Sequence, residues 1–420
     1  MSIRLKAFAR RHRILSAAII TVAGVLLLTG LVVGTVATQP ALAAQGAEIL
    51  RGVIGDENVA KLETVVLGIQ DTLQSLAFRA GTAPPAAPWP SPVPVTASAT
   101  EIPPSATPVV LITQSPVSSA VDPSQTPTPQ VTAAPPTATP EPANMPAPLK
   151  PLGSLAGEGQ WSAYLPGSAG QTVAYKTFLQ PDPQRPYAVA AIVAIDLSAT
   201  RLHFVLGTNE PASPVTIDRP GKIPPSDFKP GVLLAVFNGG FQAQHGDFGA
   251  MVNGIIVLPP RPGFATVALY KDGHVAIGAW GTTITQTNAL RTWRQNGPPI
   301  IQDGQINPHT ADDAPHDWGF TVKGVTATWR SGLAISPDGR TLYYVAGTYL
   351  TLPALAQVMA DTGAAQALQL DINGYWVQFE AVQFSASGPE SSPLLVGMKQ
   401  DGRYLNGFGF SRDFFYLTAN

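Results

Sequence analysis

From residue 155 onward, short hydrophobic runs of strand length alternate with clusters of Gly, Pro, Asn and Asp. Segments 173–180, 187–197, 201–207 and 232–237 each carry the β-branched and aromatic residues that suit a pleated, half-buried surface. Segments 251–258 and 265–277 do the same, the second broken by the turn Lys271-Asp272-Gly273. Positions 333–345 read as two strands around Pro337-Asp338-Gly339-Arg340. Only 288–295 and 352–362 have a helical look, so the pattern predicts a strand-rich α+β domain with few helices over 155–420.

Upstream the period changes. Val59, Leu62, Val66, Ile69, Leu73 and Leu76 recur at spacings of three and four, which predicts a helix over 46–80. In heptad terms this stripe suits a parallel homodimer, and it suits equally an amphipathic helix laid on a membrane or docked on a neighbour. Before it, positions 14–37 carry no charge at all. A helix of that length reaches ~36 Å, enough to cross a ~30 Å hydrocarbon core. The tail 1–13 holds five Arg or Lys and no acid, which predicts a cytoplasmic N-terminus and an extracytoplasmic C-terminal domain. Ala41-Leu42-Ala43 leaves a cleaved signal peptide as the alternative.

Between helix and domain lies a different material. Residues 81–150 contain 19 of the 42 prolines and four charged residues, Glu101, Asp122, Glu141 and Lys150. Such a segment has too little apolar surface to offset its ordering entropy, so it reads as a disordered, semi-rigid spacer holding the domain away from the membrane. The chain has no cysteine, which removes disulfides and thiolate metal sites. A formal net charge of −2 gives no global field for nucleic acid.

Candidate chemistry sits at three strand ends. The run AQALQLDINGYWVQF at 365–379 puts Asp371 before an Asn-Gly pair suited to a tight turn. A capping aspartate in a hairpin would account for it, as would a functional carboxylate. In AVFNGGF at 235–241, Asn238, Gly239 and Gly240 form either a hairpin loop or a backbone that admits a ligand closely. Arg330, after Trp329, is either a two-pronged anion fork or a guanidinium stacked on that ring. The loop 309–317 concentrates His309, Asp312, Asp313, His316 and Asp317; it reads as a solvated loop beside the site or as ligands for a divalent cation. No metal ligand and no cofactor is assigned.

Taken in order, AVFNGGF at 235–241, GDFGAMVNG at 246–254, PIIQDG at 299–304, WRSGLAIS at 329–336 and the run 351–371 resemble the phosphodiester glycosidase domain family. That family includes N-acetylglucosamine-1-phosphodiester alpha-N-acetylglucosaminidase. The resemblance implies Asp371, Arg330 and Asn238 as catalytic residues. It implies Gly239 and Gly240 as substrate-binding ones; beside them, independently of the resemblance, Asn373 and the aromatics Tyr375 and Trp376 are candidates to hold a sugar face, and His316 and Asp317 are candidates from the neighbouring loop. Where the family has glycines and serines after the aspartate, this chain has Ile372, Asn373, Tyr375 and Trp376, with Gly374 kept. The implied function is hydrolysis of glycosyl phosphodiesters in cell-envelope glycans, at a membrane-anchored domain. The alternative is an inactive module that binds a glycan or phosphoglycan.

Overall fold

The computed structural model describes residues 40–85, 88–89, 145–312, 318–319 and 324–420. The tail 1–13, the apolar span 14–37, most of the Pro-rich segment, and His316 and Asp317 lie outside the described residues. Three helices are α1 (Pro40–Ile54), α2 (Asp56–Arg79) and α3 (Leu352–Asp361). The strands begin with β1 (Ser162–Pro166), β2 (Thr172–Leu179), β3 (Val189–Asp196), β4 (Thr200–Val205), β5 (Leu233–Asn238) and β6 (Ala250–Val252). They continue with β7 (Ile255–Leu258), β8 (Ala265–Tyr270), β9 (Val275–Ala279), β10 (Leu290–Asn296), β11 (Ile301–Gln302) and β12 (Gln305–Ile306). The last are β13 (Thr328–Ile335), β14 (Thr341–Leu350), β15 (Gln366–Ile372), β16 (Phe379–Ser385), β17 (Gly388–Pro393) and β18 (Phe414–Ala419).

These strands form three sheets, ordered β1-β2-β3-β14-β13-β15-β11-β12, β7-β6-β10-β8-β9 and β17-β16-β5-β18-β4. The inner faces of all three meet in one core that includes Val193, Phe237, Val267, Leu333, Tyr344, Phe379 and Phe415. β13 is antiparallel to both β14 and β15, so those two run the same way and need a crossover. α3 supplies it. Thr351 caps its start, accepting from Ala354 N at 3.2 Å, and Leu355, Val358 and Met359 bury against the outer face of the first sheet. A Cβ on Gly332 would fall 2.5 Å from Leu368 O and closer still to Met359, so only glycine lets this helix and strand approach so near.

Two expectations about elements change. Positions 288–295 form β10, not a helix. Every residue of β10 but Arg291 is buried, between β6 and β8, and both of its faces find partners; a short run of this kind is ambiguous by period alone. The predicted helix 46–80 is two helices, divided at Gly55 where φ is +80°. Arg51 and Glu63 join them at 2.9 Å.

The stripe that suggested a dimer is only partly covered: Val59 is buried, and Val66 and Ile69 are half-buried. Leu62, Leu73 and Leu76 remain about half exposed. α2 instead lays Leu67 against Phe241, Phe248 and Ile372, and Phe78 against Tyr187 at 5.9 Å. Asp71 receives both prongs of Arg185 at 2.9 Å and the hydroxyl of Tyr187 at 2.7 Å. Beyond α2, Val396 N donates to Pro88 O and Trp89 meets Phe178 edge-on at 6.1 Å. Past the Pro-rich segment, Met145 and Leu149 pack on the cluster beneath α3. The folded unit therefore begins well before residue 155. Segment 91–143, read above as part of a spacer, lies outside the described residues.

Candidate active site

β5 and β15 end side by side, and the chain before β18 reaches over both. Asp371 N donates to Gly239 O at 3.1 Å, fixing the two strand ends together. Arg412 Nη2 then bridges them, donating to Gly240 O at 2.9 Å and to Asp371 Oδ2 at 2.5 Å. The neighbouring Asp413 takes Arg294 Nε at 2.6 Å, and the rest of that guanidinium is spent on the carbonyls of Phe248, Gln295 and Phe241. Two arginines and two aspartates thus lie together, each at most 6% exposed.

Burial raises the pKa of Asp371 to about 7, with Arg412 pulling the other way and Asp413 adding to the rise. Two buried polar atoms of this cluster have no protein partner among the described residues, Arg412 Nε and Asp413 Oδ1. Such atoms mark where an outside oxygen or proton donor fits. Trp376 lies under the Arg412 guanidinium at 4.5 Å and meets Tyr375 at 4.5 Å. Tyr375 in turn carries Lys399 at 3.7 Å and Arg403 at 4.5 Å, both tied to Asp401. The result is a carboxylate, cations and an aromatic wall at one sheet end.

The other expected residues take different work. Asn238 is buried and fully bonded: its Nδ2 donates to Ser331 Oγ and Gly239 O, and its Oδ1 accepts from Tyr344 OH and Gln378 N. It reaches Asp371 indirectly, through Ser331 Oγ, which donates to Asp371 O at 2.8 Å, and through Gly239 O, which accepts from both Asn238 Nδ2 and Asp371 N. Arg330 is fully buried, donating to the carbonyls of Leu350, Gly324 and Thr326 and to Gln369 Oε1. It ties loop to sheet and is not an anion fork open to solvent. Asn373, at φ +71°, caps its own turn by accepting from Tyr375 N and Trp376 N. A Cβ on Gly239 would lie 2.6 Å from Asp413 O, so that glycine makes room for the chain itself; its N–H also goes to Asp413 O. Of the 309–317 loop, His309 Nδ1 meets Asp312 Oδ2 at 2.7 Å on a 3-10 turn. Among the described residues no group of three or more His, Asp or Glu is placed to hold a metal.

Sequence reasoning missed Arg412, Asp413 and Arg294. Their signal was faint: an Arg-Asp pair opening the apolar strand FFYLTA, in a domain with few charges to spare for its core.

Residues 231–371 match the family model of the phosphodiester glycosidases, NAGPA. The resemblance holds at the level of family. The match stops at Asp371, so the loop 372–376 and the Arg412–Asp413 pair lie beyond it. Among solved structures, the catalytic domain of zebrafish N-acetylglucosamine-1-phosphodiester alpha-N-acetylglucosaminidase, auto-inhibited by its pro-peptide, is similar at 14% identity. That similarity covers 62% of this chain and 87% of the zebrafish one, with a TM-score of 0.36. A hypothetical protein from Synechocystis is 11% identical over 56% of this chain and 59% of its own, with a TM-score of 0.28. No curated protein sequence matches the chain.

Proposed function

We propose that this chain hydrolyses glycosyl phosphodiesters at the Asp371–Arg412 centre. The observation that carries the reading is a carboxyl with a pKa near 7, buried against a guanidinium that keeps one donor free. Cleavage breaks the bond between the anomeric carbon and the phosphate oxygen, and the phosphate monoester departs with the electron pair. Ionised Asp371 stabilises the oxocarbenium-like centre and takes the proton of the water that adds to it. Arg412 Nε receives the phosphate oxygen as charge collects there. Phosphate is already a good leaving group, so strong acid assistance is not required. Leu67 of α2 lies on Phe241, Phe248 and Ile372 beside this centre, so α2 forms one wall of the approach.

The test is turnover of a panel of sugar-1-phosphodiesters by the purified chain, read as phosphate monoester released. Turnover that Asp371→Asn abolishes supports the reading. Saturable binding of the same diesters with no product from the native chain replaces it with the inactive glycan-binding module.

We infer, from the uncharged span 14–37 and its basic flank, that the domain works on the extracytoplasmic side of a membrane, on envelope glycans. Among the described residues no helix is long and apolar enough to cross a membrane, and 14–37 lies outside them. Impermeant labelling of residues introduced in 145–420 on intact cells tests the orientation. Protection until the membrane is breached would reverse it.

A further inference from the structure

A groove of about 420 Å³ runs beside β4. β4 is the last strand of its sheet, so one backbone edge is unpaired by strand and faces this groove. The opposite wall comes from the second sheet, with Val252, Leu269 and Tyr270. Arg201, Lys222 and Arg291 line it and are all exposed. Among the described residues none of the three has a carboxylate partner; Arg291 meets only Asn253 Oδ1, at 3.3 Å. Asp218 is the one acid lining the groove among the described residues. Below them His203 is stacked on Tyr416, ring centres 4.4 Å apart, with its Nε2 held by Thr418 Oγ1 at 3.0 Å.

Cations gathered without counter-charges repel one another. A fold that keeps three of them around one concave surface lowers that cost when an anion enters. The direction of the groove says which anion. β4 pairs with β18 so that Arg201 lies opposite Thr418 and Val205 opposite Phe414. The chain leaving β4 at Gly207 presses on Ser411 and Arg412, where an added Cβ would have no room. The strand that borders the groove therefore leads, at Gly207, onto the chain segment that carries Arg412, and its other end lies about 17 Å away, five residues at ~3.3 Å each.

We propose that this groove is an extended subsite for the substrate itself: a polymeric, phosphodiester-linked glycan whose anionic repeats lie along β4 while one linkage is held at Asp371. Arg201, Lys222 and Arg291 contact successive anionic groups, and Tyr270 and the apolar wall take the saccharide between them. The proposal rests on the hydrolase reading for the placement of the cut linkage. Its binding component stands apart from turnover.

The experiment compares the full chain with the triple variant Arg201→Gln, Lys222→Gln, Arg291→Gln, whose changes are exposed and leave the core alone. Two probes are used, a four-repeat oligosaccharide joined by sugar-1-phosphodiester links and a methyl phosphodiester of the single sugar 1-phosphate. The expected result is affinity for the four-repeat probe weakened about 10- to 100-fold, as lost charge-assisted hydrogen bonds would give. The single-repeat probe should be unaffected. Equal weakening of both probes, or of neither, overturns the subsite. So does inorganic phosphate competing as well per charge as the four-repeat probe, which would make the groove a site for free phosphate. Failure of the native chain to cleave either probe would count against the hydrolase, while the binding comparison would still decide the groove.

Discussion

Arg412 and Asp371, 41 positions apart, meet at 2.5 Å between Nη2 and Oδ2, and the same nitrogen holds Gly240 O at 2.9 Å. One guanidinium therefore closes the ends of β5 and β15 and supplies the counter-charge of the only acid expected to act there. Because the pair is buried, neither partner can be removed without leaving the other uncompensated. Arg412→Ala should both abolish turnover and lower stability by about 3–5 kcal/mol. Arg412→Lys should retain the charge, fold near normally, and lose the bridging geometry. Denaturant titration of the two variants beside the native chain checks this; equal stability for all three would show that the pair carries no structural load.

Asp371 must be ionised to act as proposed, and its pKa is near 7. Turnover per unit substrate should therefore rise about tenfold per pH unit below 7 and level off above it. Asp371→Asn should lose roughly 10²–10⁴ in kcat and lose that limb as well. A profile that falls as pH rises through 7 would assign Asp371 the opposite role, as a proton donor.

Arg330 gives the contrasting case. Its bonds end on Leu350, Gly324, Thr326 and Gln369. Arg330→Met should cost about 3 kcal/mol or more through buried acceptors left unmet, with KM unchanged in the fraction that remains folded. A raised KM at unaltered stability would return the residue to substrate binding.

The fold was legible where period and chemistry agree. The strand runs at 173–180, 232–237 and 265–277 became β2, β5, β8 and β9 within a few residues, and the helix after Thr351 formed where its cap and proline place it. A motif marks Asp371 and the Gly239–Gly240 backbone in the sequence, and the structure places them side by side. What was not legible depends on burial. Arg330 follows Trp329 and Arg412 lies two positions from Phe410 and Phe414, and sequence cannot say that one spends itself on carbonyls while the other faces a carboxylate. Nor can spacing show which side of α2 meets the domain: Asp71 and Leu67 dock, while Leu62, Leu73 and Leu76 of the more apolar stripe stay about half exposed.

His203 has its pKa lowered to about 4, chiefly by burial, with Arg291 and Arg201 adding to the fall and Asp227 opposing it. Its folded pKa is depressed, so its neutral form costs nothing above about 6.5. Below that the unfolded chain takes up the proton first, and stability falls until about pH 4. The loss should amount to about 3 kcal/mol, at 1.36 kcal/mol per unit. Unfolding curves between pH 7 and 4 for the native chain and His203→Gln test it, and parallel curves would remove His203 as the cause.

Cutting within 91–143 should not free the domain. Both flanks are fixed to one body, through Trp89 on Phe178 on one side and Leu149 N to Gly159 O on the other. After limited proteolysis the two pieces should co-elute, and Asp71→Ala with Arg185→Ala should let them part. Separation of the native pieces would show that 91–143 links the helices to the domain as a spacer.

If 14–37 spans a bilayer, the docking of α2 on the domain fixes how high the protein stands. Phe78 on Tyr187 and Asp71 on Arg185 hold that helix against the body that carries Asp371. α1 begins at Pro40, so two residues, 38 and 39, separate the span from the first helix, ~11 Å at most over three Cα steps. Asp371 would then patrol a thin shell against the membrane face. What it meets would be set by the density of glycan rooted there.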